Sequence, residues 1–316
     1  AADLACGPSQ LGAPCGDGGP ATLALGEGPG LGIGNPVHAA TGNKYQRETD
    51  MPALPGVLGL ELVRHYNSAD TRSGPFGVGW TLSYDTRLYR VGGSVQIVQA
   101  DGSRVDFAGA PGEGGACVAD RPAHGTLHIE PAGARERYRW QWRDGRVLAF
   151  DADGRLVAIT AANGARLAIA RGRMPGHGTY GRIVRVTDPA GRVLRLRYGP
   201  DATVAAALTP AGRIAYRYAG RGRLAAAAYP DGHARLYLYE AQYQGGGPWR
   251  LTGIAAGRPD GSRQRLNSWQ YDAAGRVVRA TLGMPDSRQG RLDIAYLRSP
   301  TAGGGTGLTV VTDAAG

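Results

Sequence analysis

Glu48 and Asp50 are a pair of carboxylates whose type and spacing could do chemistry. They stand two positions apart in a segment that alternates like a β-strand, so their side chains are predicted to point to the same side. Two carboxylates on one side can divide the roles of general acid and general base. The alternative, which we favour, is that both residues line the solvated edge of a strand.

Three aromatic residues, Tyr138, Trp140 and Trp142, alternate with arginines and a glutamine. On a strand they would share one face and could form a flat platform on which sugar rings stack, with the arginines placed for acidic groups. The same pattern is typical of an aromatic ladder that packs into a core. We favour the ladder and keep the glycan platform as the alternative.

Other patterns that could carry chemistry are less specific. His124 and His128 have the spacing of two metal ligands on a helix, but Gly125 and the strand-like context disfavour a helix. On a strand the same spacing separates them by about 13 Å. Cys117 is near both histidines in sequence only, and the glycine-rich run before residue 35 is not followed by a helix. We therefore predict no metal, no cofactor and no catalytic residue, and a protein that is not an enzyme.

The composition excludes several classes of partner. The 316 residues carry 36 basic and 26 acidic side chains, a formal charge of +10, and Lys44 is the only lysine. The arginines recur singly along the chain and do not gather in a tail, which disfavours a nucleic-acid partner. The 52 glycines and 20 prolines exclude long helices, and no apolar run is long enough to span a membrane as a helix.

Residues 1–34 form a Gly/Pro-rich leader or linker with little apolar surface of its own. Cys6 and Cys15 lie in this leader, where neither can fill a core, and their close spacing would allow a disulfide. A disulfide favours an oxidising compartment, and the alternative is two free thiols. The chain begins without a basic or apolar signal segment, so we interpret it as a mature product whose signal peptide, if there was one, has been removed.

Short alternating strands and turns fill the rest of the chain. Period-two alternation at residues 60–67, 80–84 and 95–98 predicts a β domain over residues 35–110. From residue 111 onward, turn signals recur about every ten or twenty residues. They are Asp144-Gly145, Asp153-Gly154, Asn163-Gly164, Ala190-Gly191, Ala211-Gly212, Asp231-Gly232, Asp260-Gly261 and Ala274-Gly275. Such small units must stack to make a core, so residues 111–316 are predicted to form a β-solenoid or a continuous curling sheet with one apolar and one basic face.

Two of these turns resemble the tyrosine-aspartate (YD) repeat of Rhs proteins. They are Tyr271-Asp272-Ala273-Ala274-Gly275-Arg276-Val277 and Thr187-Asp188-Pro189-Ala190-Gly191-Arg192-Val193. Upstream, Gly34-Asn35-Pro36-Val37, Thr41-Gly42-Asn43-Lys44-Tyr45, Leu54-Pro55-Gly56, Arg64-His65-Tyr66-Asn67-Ser68 and Gly77-Val78-Gly79-Trp80 are similar to the domain that precedes the repeats in Rhs proteins and related polymorphic toxins. The resemblance covers roughly residues 34–316.

The resemblance implies an all-β fold, in which the upstream β domain is followed by an antiparallel YD-repeat sheet spiralling into part of a hollow shell. Rhs toxins, the cocoon-forming subunits of insecticidal toxin complexes and the teneurins have such shells. In the family the shell encloses a C-terminal toxic domain, which is released by self-cleavage at an aspartate-based site. This sequence stops within a repeat, without that cleavage segment or a toxin domain, so we expect a truncated chain that cannot close a shell.

We therefore expect a structural segment of a secreted or cell-surface Rhs-like protein whose shell encapsulates or presents an effector, as in competition between bacteria. The implied partners are a C-terminal toxin or effector polypeptide and the downstream repeats. The alternative is an extracellular adhesion or glycan-binding module of teneurin type, with a cell-surface glycan on the aromatic platform. An incomplete last repeat would leave a strand edge unpaired, so self-association is also expected.

Overall fold

The computed structural model describes residues 32–33, 37–39, 41–107, 116–118, 124–132, 135–298 and 308–315. Within these ranges the regular structure is β-strand, with two short 3-10 turns at Gly220–Gly222 and Ala241–Tyr243 and no α-helix. The prediction of an all-β protein is confirmed. None of these ranges contains a helix that could cross a membrane. Cys6 and Cys15 lie outside the described residues.

Residues 37–107 build what we call the inner unit. The first strands of the chain are β1 (Gly32–Ile33), β2 (Val37–His38), β3 (Tyr45–Met51), β4 (Leu62–Asn67), β5 (Ser73–Gly74), β6 (Gly77–Val78), β7 (Trp80–Leu82), β8 (Arg87–Val91), β9 (Ser94–Val98) and β10 (Arg104–Phe107). The inner unit contains two three-stranded antiparallel sheets, in the orders β3-β4-β7 and β10-β9-β8, and a small hairpin, β5-β6. Every residue of β4 is buried, so both of its faces are covered.

The remaining strands form one antiparallel sheet of 17 strands, which we call the outer sheet. They are β11 (Ala116–Val118), β12 (Thr126–Ala132), β13 (Arg135–Gln141), β14 (Val147–Phe150), β15 (Leu156–Thr160), β16 (Arg166–Arg171), β17 (Ile183–Thr187), β18 (Val193–Tyr198), β19 (Val204–Thr209), β20 (Gly212–Ala219), β21 (Arg223–Ala228), β22 (Ala234–Leu238), β23 (Gly253–Gly257), β24 (Arg263–Tyr271), β25 (Val277–Leu282), β26 (Leu292–Arg298) and β27 (Leu308–Asp313). Neighbours in space are neighbours in sequence throughout. The repeats therefore make a continuous sheet, and the solenoid alternative does not hold.

The turn at residues 188–192 explains the composition of the repeat. Asp188 Oδ1 accepts a hydrogen bond from the backbone N–H of Arg192 at 2.9 Å, and Asp188 Oδ2 accepts one from the Arg192 guanidinium at 2.7 Å. Gly191 has a φ of +80°, which side chains avoid. Asp272 and Arg276 repeat both contacts at 2.9 Å. Every turn glycine named above has a positive φ, so the predicted turn positions are confirmed.

A tyrosine near the end of a strand supports several of the hairpins. These side chains donate a hydroxyl hydrogen bond of 2.7–2.9 Å to a backbone carbonyl 14–20 residues earlier in the chain, and they are Tyr198, Tyr218, Tyr271 and Tyr296. The strand register shifts at each of them. Because such a bulge bends its strand and increases the local twist, bulges at equivalent positions curve the sheet repeatedly.

The outer sheet curves around the inner unit, and the core lies between them. Phe76 packs edge-on against Tyr216 with 4.9 Å between ring centroids, and Trp80 packs in the same way against Tyr237 at 5.0 Å. Hydrogen bonds between the two parts follow the chain order of the sheet. They join Gly154 to Leu88, Asp188 to Leu60, Val204 to Pro75, Trp249 to Ser68, Val277 to Gly42 and Thr309 to Ala39. The opposite face of the sheet is solvated and carries arginines, as predicted.

Candidate functional site: a buried polar cluster between the inner unit and the outer sheet

Glu48 and Asp50 lie on the side of β3 that meets the outer sheet. They share a face, as their spacing predicts, but the solvated-edge interpretation is wrong. Glu48 is 5% exposed and the side chain of Asp50 is fully buried. The residues that cover them come from far along the chain, because the Tyr216 hydroxyl that contacts Asp50 belongs to a residue 166 positions away. Burial of this kind has no local sequence signal.

Asp50 and Arg64 form the centre of the cluster. Arg64, on β4, donates through Nε and Nη2 to the two carboxylate oxygens of Asp50 at 2.6 and 2.8 Å. Tyr216 of β20 and Tyr229, just after β21, donate their hydroxyls to the same two oxygens at 2.6 and 2.8 Å. Each oxygen of Asp50 therefore accepts one bond from the inner unit and one from the outer sheet, and the carboxylate joins the two parts.

The hydrogen bonds continue from Arg64 to Glu48 through a third tyrosine. Arg64 Nη2 donates to the Tyr237 hydroxyl at 2.6 Å, and that hydroxyl donates to Glu48 Oε2 at 3.2 Å. Arg235 of β22 places its Nε 3.2 Å from the same oxygen, and Gln46 donates to Glu48 Oε1 at 2.7 Å. The two carboxylates are matched by two guanidinium groups, so the cluster brings no net charge into the core.

Aromatic rings surround the Arg64 guanidinium. The rings of Phe76, Trp80, Tyr216 and Tyr237 have centroids 4.9–5.5 Å from its central carbon. Burial by itself would lower the pKa of Arg64, but Asp50 and the neighbouring tyrosines outweigh that effect and hold the pKa above its ordinary value. Burial, followed by the charge of Asp50, raises the pKa of Tyr216, so its hydroxyl stays a donor. Arg64 and Tyr216 therefore keep the protons that they donate in their hydrogen bonds.

Lys44 extends the cluster at the start of β3. Its side chain is fully buried, and Nζ donates to the Tyr45 carbonyl and to Gln46 Oε1, the latter at 2.9 Å. Nζ also lies 4.2 Å from the centroid of the Trp269 ring, contributed by β24. Burial lowers the pKa of Lys44 well below its ordinary value, although the charge of Glu48 acts in the opposite direction. The only lysine of the chain thus contacts the outer sheet and is closed off from solvent.

A second buried group, Tyr45, His65 and Ser83, has the connectivity of a nucleophile and its base. The Tyr45 hydroxyl lies 2.7 Å from His65 Nδ1, and His65 Nε2 lies 3.1 Å from Ser83 Oγ. Burial, with a smaller effect of Arg47, lowers the pKa of His65 to about 3, so the imidazole is neutral. A neutral imidazole beside a hydroxyl can act as a general base. All three side chains are buried, however, and the sequence contains no local motif that joins them.

The aromatic residues Tyr138, Trp140 and Trp142 are buried in the core. Trp140 and Trp142 have centroids 4.7 Å apart, and Phe107 of the inner unit meets Trp140 edge-on at 6.2 Å. The three side chains lie on the same face of the sheet, as their alternation predicts. The rings are turned towards the inner unit and present no open face to a sugar, so a surface platform at these residues is not what the structure shows.

The other residues considered from the sequence lie apart from the cluster. Cys117 is on β11 opposite Leu127, and His128 is on β12 opposite Arg139. His124 precedes β12, and its carbonyl accepts a hydrogen bond from Trp140 Nε1 at 2.7 Å. Within the described ranges, no group of three or more histidine, cysteine, aspartate or glutamate side chains is placed to hold a metal ion.

Comparison with known proteins associates the inner unit with a family. A domain of unknown function (DUF6531) matches residues 34–107, a range that includes the inner unit. No curated protein matches the chain.

Similar solved structures come from toxin complexes. A Tc holotoxin pore of Photorhabdus luminescens is 15% identical over 82% of this chain and 11% of the other, with a TM-score of 0.33. A TcdB2-TccC3-Cdc42 structure is 14% identical over 80% of this chain and 11% of the other, with a TM-score of 0.31. A TcdB2-TccC3 structure is 13% identical over 79% of this chain and 16% of the other, with a TM-score of 0.31. The chain spans between 11% and 16% of the length of those proteins. The family model matches no residue of the outer sheet.

Proposed function

We propose that the chain is a structural segment of a secreted Rhs-like protein, in which the outer sheet is part of the wall of a β-shell. The wall contains or presents another polypeptide, an effector in the toxin proteins that the sequence resembles. The inner unit fills the concave side of the wall, and the buried cluster around Asp50 and Arg64 joins the two parts. Containment acts by exclusion, so the segment itself performs no catalysis.

The difference in burial between two strands of the outer sheet, β18 and β27, carries this proposal. Leu194 and Leu196 of β18 are buried against the inner unit, whereas β27 has apolar side chains exposed on both of its faces. Val311, opposite buried Ile294, is 39% exposed, and Val310, on the other face, is 43% exposed. Apolar side chains exposed on both faces of one strand are suited to contact another polypeptide.

The test uses the full chain and an unfolded probe polypeptide. Reduced, carboxamidomethylated lysozyme is suitable because its positive charge is repelled by the arginines of the outer sheet. Its binding therefore reports on the exposed apolar side chains of β27. We expect the chain to bind the labelled probe in fluorescence anisotropy. Val310→Lys should weaken binding by about tenfold, because it places a charge on the receiving strand. Val91→Lys is the matched control, since Val91 is 59% exposed but lies on β8 of the inner unit.

Two further measurements bear on the same proposal. Light scattering should show concentration-dependent association of the chain through β27, and Val310→Lys should reduce it. Mass spectrometry should recover the probe intact after incubation. Absence of probe binding, equal loss in both variants, or cleavage of the probe that a single substitution abolishes would each contradict a passive wall.

A further inference from the structure

Five exposed arginines lie close together on the solvated face of the outer sheet. They are Arg185 on β17, Arg195 and Arg197 on β18, and Arg213 and Arg217 on β20. We call this surface the arginine face. It lies on the side of the sheet opposite the inner unit, because Leu194, Leu196, Ile214 and Tyr216, which alternate with these arginines, are buried in the core.

The strand register aligns three of the five in a row across the sheet. Arg185 is directly opposite Arg195, Arg195 is opposite Leu208, and Leu208 is opposite Arg213. Neighbouring strands are about 5 Å apart, so the row places positive charges at intervals of about 5 and about 10 Å. Arg197 lies two residues along the strand from Arg195, a further separation of about 7 Å. The row therefore crosses four strands and is broad enough for several anionic groups at once.

These arginines have no counter-charge within the part of the chain that the structure describes. Strands β16 to β21 contain no aspartate or glutamate. None of the five side chains makes an ion pair or a side-chain hydrogen bond with a described residue. Elsewhere on the sheet, Arg139 pairs with Glu130 and Arg279 with Asp293. Like charges directly opposite each other, as at Arg185 and Arg195, destabilise a sheet, and a bound anion would relieve this repulsion.

We propose that the arginine face binds an extended, flexible acidic polysaccharide, one with a carboxylate or sulfate on each repeating unit. Guanidinium groups bind such oxyanions through two parallel hydrogen bonds, which a lysine cannot reproduce. The site is separate from the aromatic residues considered above for a glycan, and it does not depend on the wall function of the sheet.

The chemistry of the surface selects among polyanions. The positions between the arginines are occupied by small or aliphatic residues, including Ala206, Leu208 and Ala215, with no exposed aromatic ring for bases of a single-stranded nucleic acid to stack on. Aromatic anchors for a protein interface are also missing from the described arginine face, because Tyr198, Tyr216 and Tyr218 pack on the core side of the sheet. A DNA duplex is stiff over about 150 base pairs and a bilayer is flat, so each would touch a curved face along a narrow line. A flexible chain can follow the row.

The test is a binding titration of polygalacturonate against the full chain and two variants of equal charge. The first variant is Arg185→Gln/Arg195→Gln/Arg213→Gln, which removes the row. The control is Arg104→Gln/Arg263→Gln/Arg288→Gln, which removes three exposed arginines elsewhere. We expect the row variant to bind at least about tenfold more weakly and to lose about two to three units of salt slope, by analogy with other polyanions. The control variant should bind like the original chain.

Thermal unfolding provides a second readout that misfolding could not imitate. Polygalacturonate should raise the unfolding temperature of the original chain, and the row variant should unfold at the same or a higher temperature without ligand. Equal losses in both variants would overturn the proposal in favour of diffuse net charge. Tighter, row-dependent binding of a short DNA duplex or of phosphatidylserine vesicles would overturn it in favour of a nucleic acid or a membrane, and equal binding of neutral dextran would exclude charge recognition.

Discussion

The two faces of the outer sheet place arginine in opposite environments. On the inner face, Arg64 of the inner unit is fully buried, bonded to Asp50 and enclosed by aromatic rings. On the outer face, Arg195 is exposed and lies opposite another arginine. The inner arginine spends its Nε and Nη2 donors on Asp50 and Tyr237, and it positions two parts of the molecule. The outer arginine keeps its hydrogen-bonding capacity free, so the same side chain is structural on one face and available for binding on the other.

The largest expected effect comes from removing the counter-charge of the buried arginine. Asp50→Ala leaves the Arg64 guanidinium buried without its carboxylate, which should lower the free energy of unfolding by about 3–5 kcal/mol. Urea denaturation followed by tryptophan fluorescence would measure the loss. Asp153→Ala is the control, because Asp153 pairs with Arg155 at the surface and is 52% exposed. A similar small loss for both variants would mean that the buried pair is not a special fastening.

Glu61 tests whether the interior tolerates a charge without a partner. It is 2% exposed and makes no ion pair with a described residue, and burial raises its pKa to about 7 against a smaller opposing effect of Arg47. An acid whose pKa is raised by folding contributes stability that is complete below its unfolded pKa and is lost as the pH rises through the folded value. Stability should therefore fall between about pH 5 and about pH 8.

Glu61→Gln should remove that part of the pH dependence. At about pH 8 the variant should be more stable than the original chain by roughly 3 kcal/mol, and near pH 4 the two should be about equal. The difference between their urea midpoints across this range isolates the contribution of Glu61 from that of the other ionisable groups, which the two proteins share. Parallel pH profiles would show that the carboxylate reaches solvent or a partner when it ionises.

The tyrosine hydroxyls of the repeats provide a smaller and neutral contrast. Tyr218→Phe removes the hydrogen bond to the Val204 carbonyl and should lower the free energy of unfolding by about 1 kcal/mol. Tyr180→Phe is the control, because the Tyr180 side chain is 51% exposed. Urea denaturation of both variants makes the comparison. A loss as large as that of Asp50→Ala would contradict the view that charge pairing dominates the interior.

The smallest expected effect is on the outer face, and its sign is opposite. Arg195→Gln relieves the repulsion from Arg185 and should raise the unfolding temperature slightly at low salt, with the difference vanishing at high salt. Arg263→Gln, an exposed arginine outside the arginine face, should show no such gain. A salt-independent loss of stability in Arg195→Gln would indicate that Arg195 has a structural partner on that face.

Local features of the fold could be predicted from the sequence because their causes are local. The Asp272 to Arg276 turn combines an aspartate that bonds the backbone two to four residues on, a glycine with a positive φ, and an arginine within reach of the aspartate. The alternation at Tyr138, Trp140 and Trp142 likewise determines which residues share a face. Alternation cannot determine which face becomes the core, because that depends on what arrives to cover it.

The buried cluster could not be predicted because its members are brought together by the curvature of the whole sheet. The tyrosines that bond Asp50 are 166 and 179 residues away, and nothing near Asp50 announces them. The arginine face did leave a signal. Arg185 and Arg195 flank the turn at residues 188–191, and pairing the strands symmetrically about that turn places the two arginines opposite each other. The composition alone does not show this alignment, because the arginines recur singly along the chain and only the strand pairing brings them together.

The order in which the outer sheet touches the inner unit matters for how the chain folds during synthesis. The inner unit leaves the ribosome first, and the hairpins that follow contact it in the order in which they are made, from Gly154 to Thr309. Each new hairpin can pair with the strand before it and dock on the surface beside it, so the sheet is wound outward from one end. Contacts that are as far apart as 270 positions in sequence are then closed in small steps, and no long loop has to be closed at once.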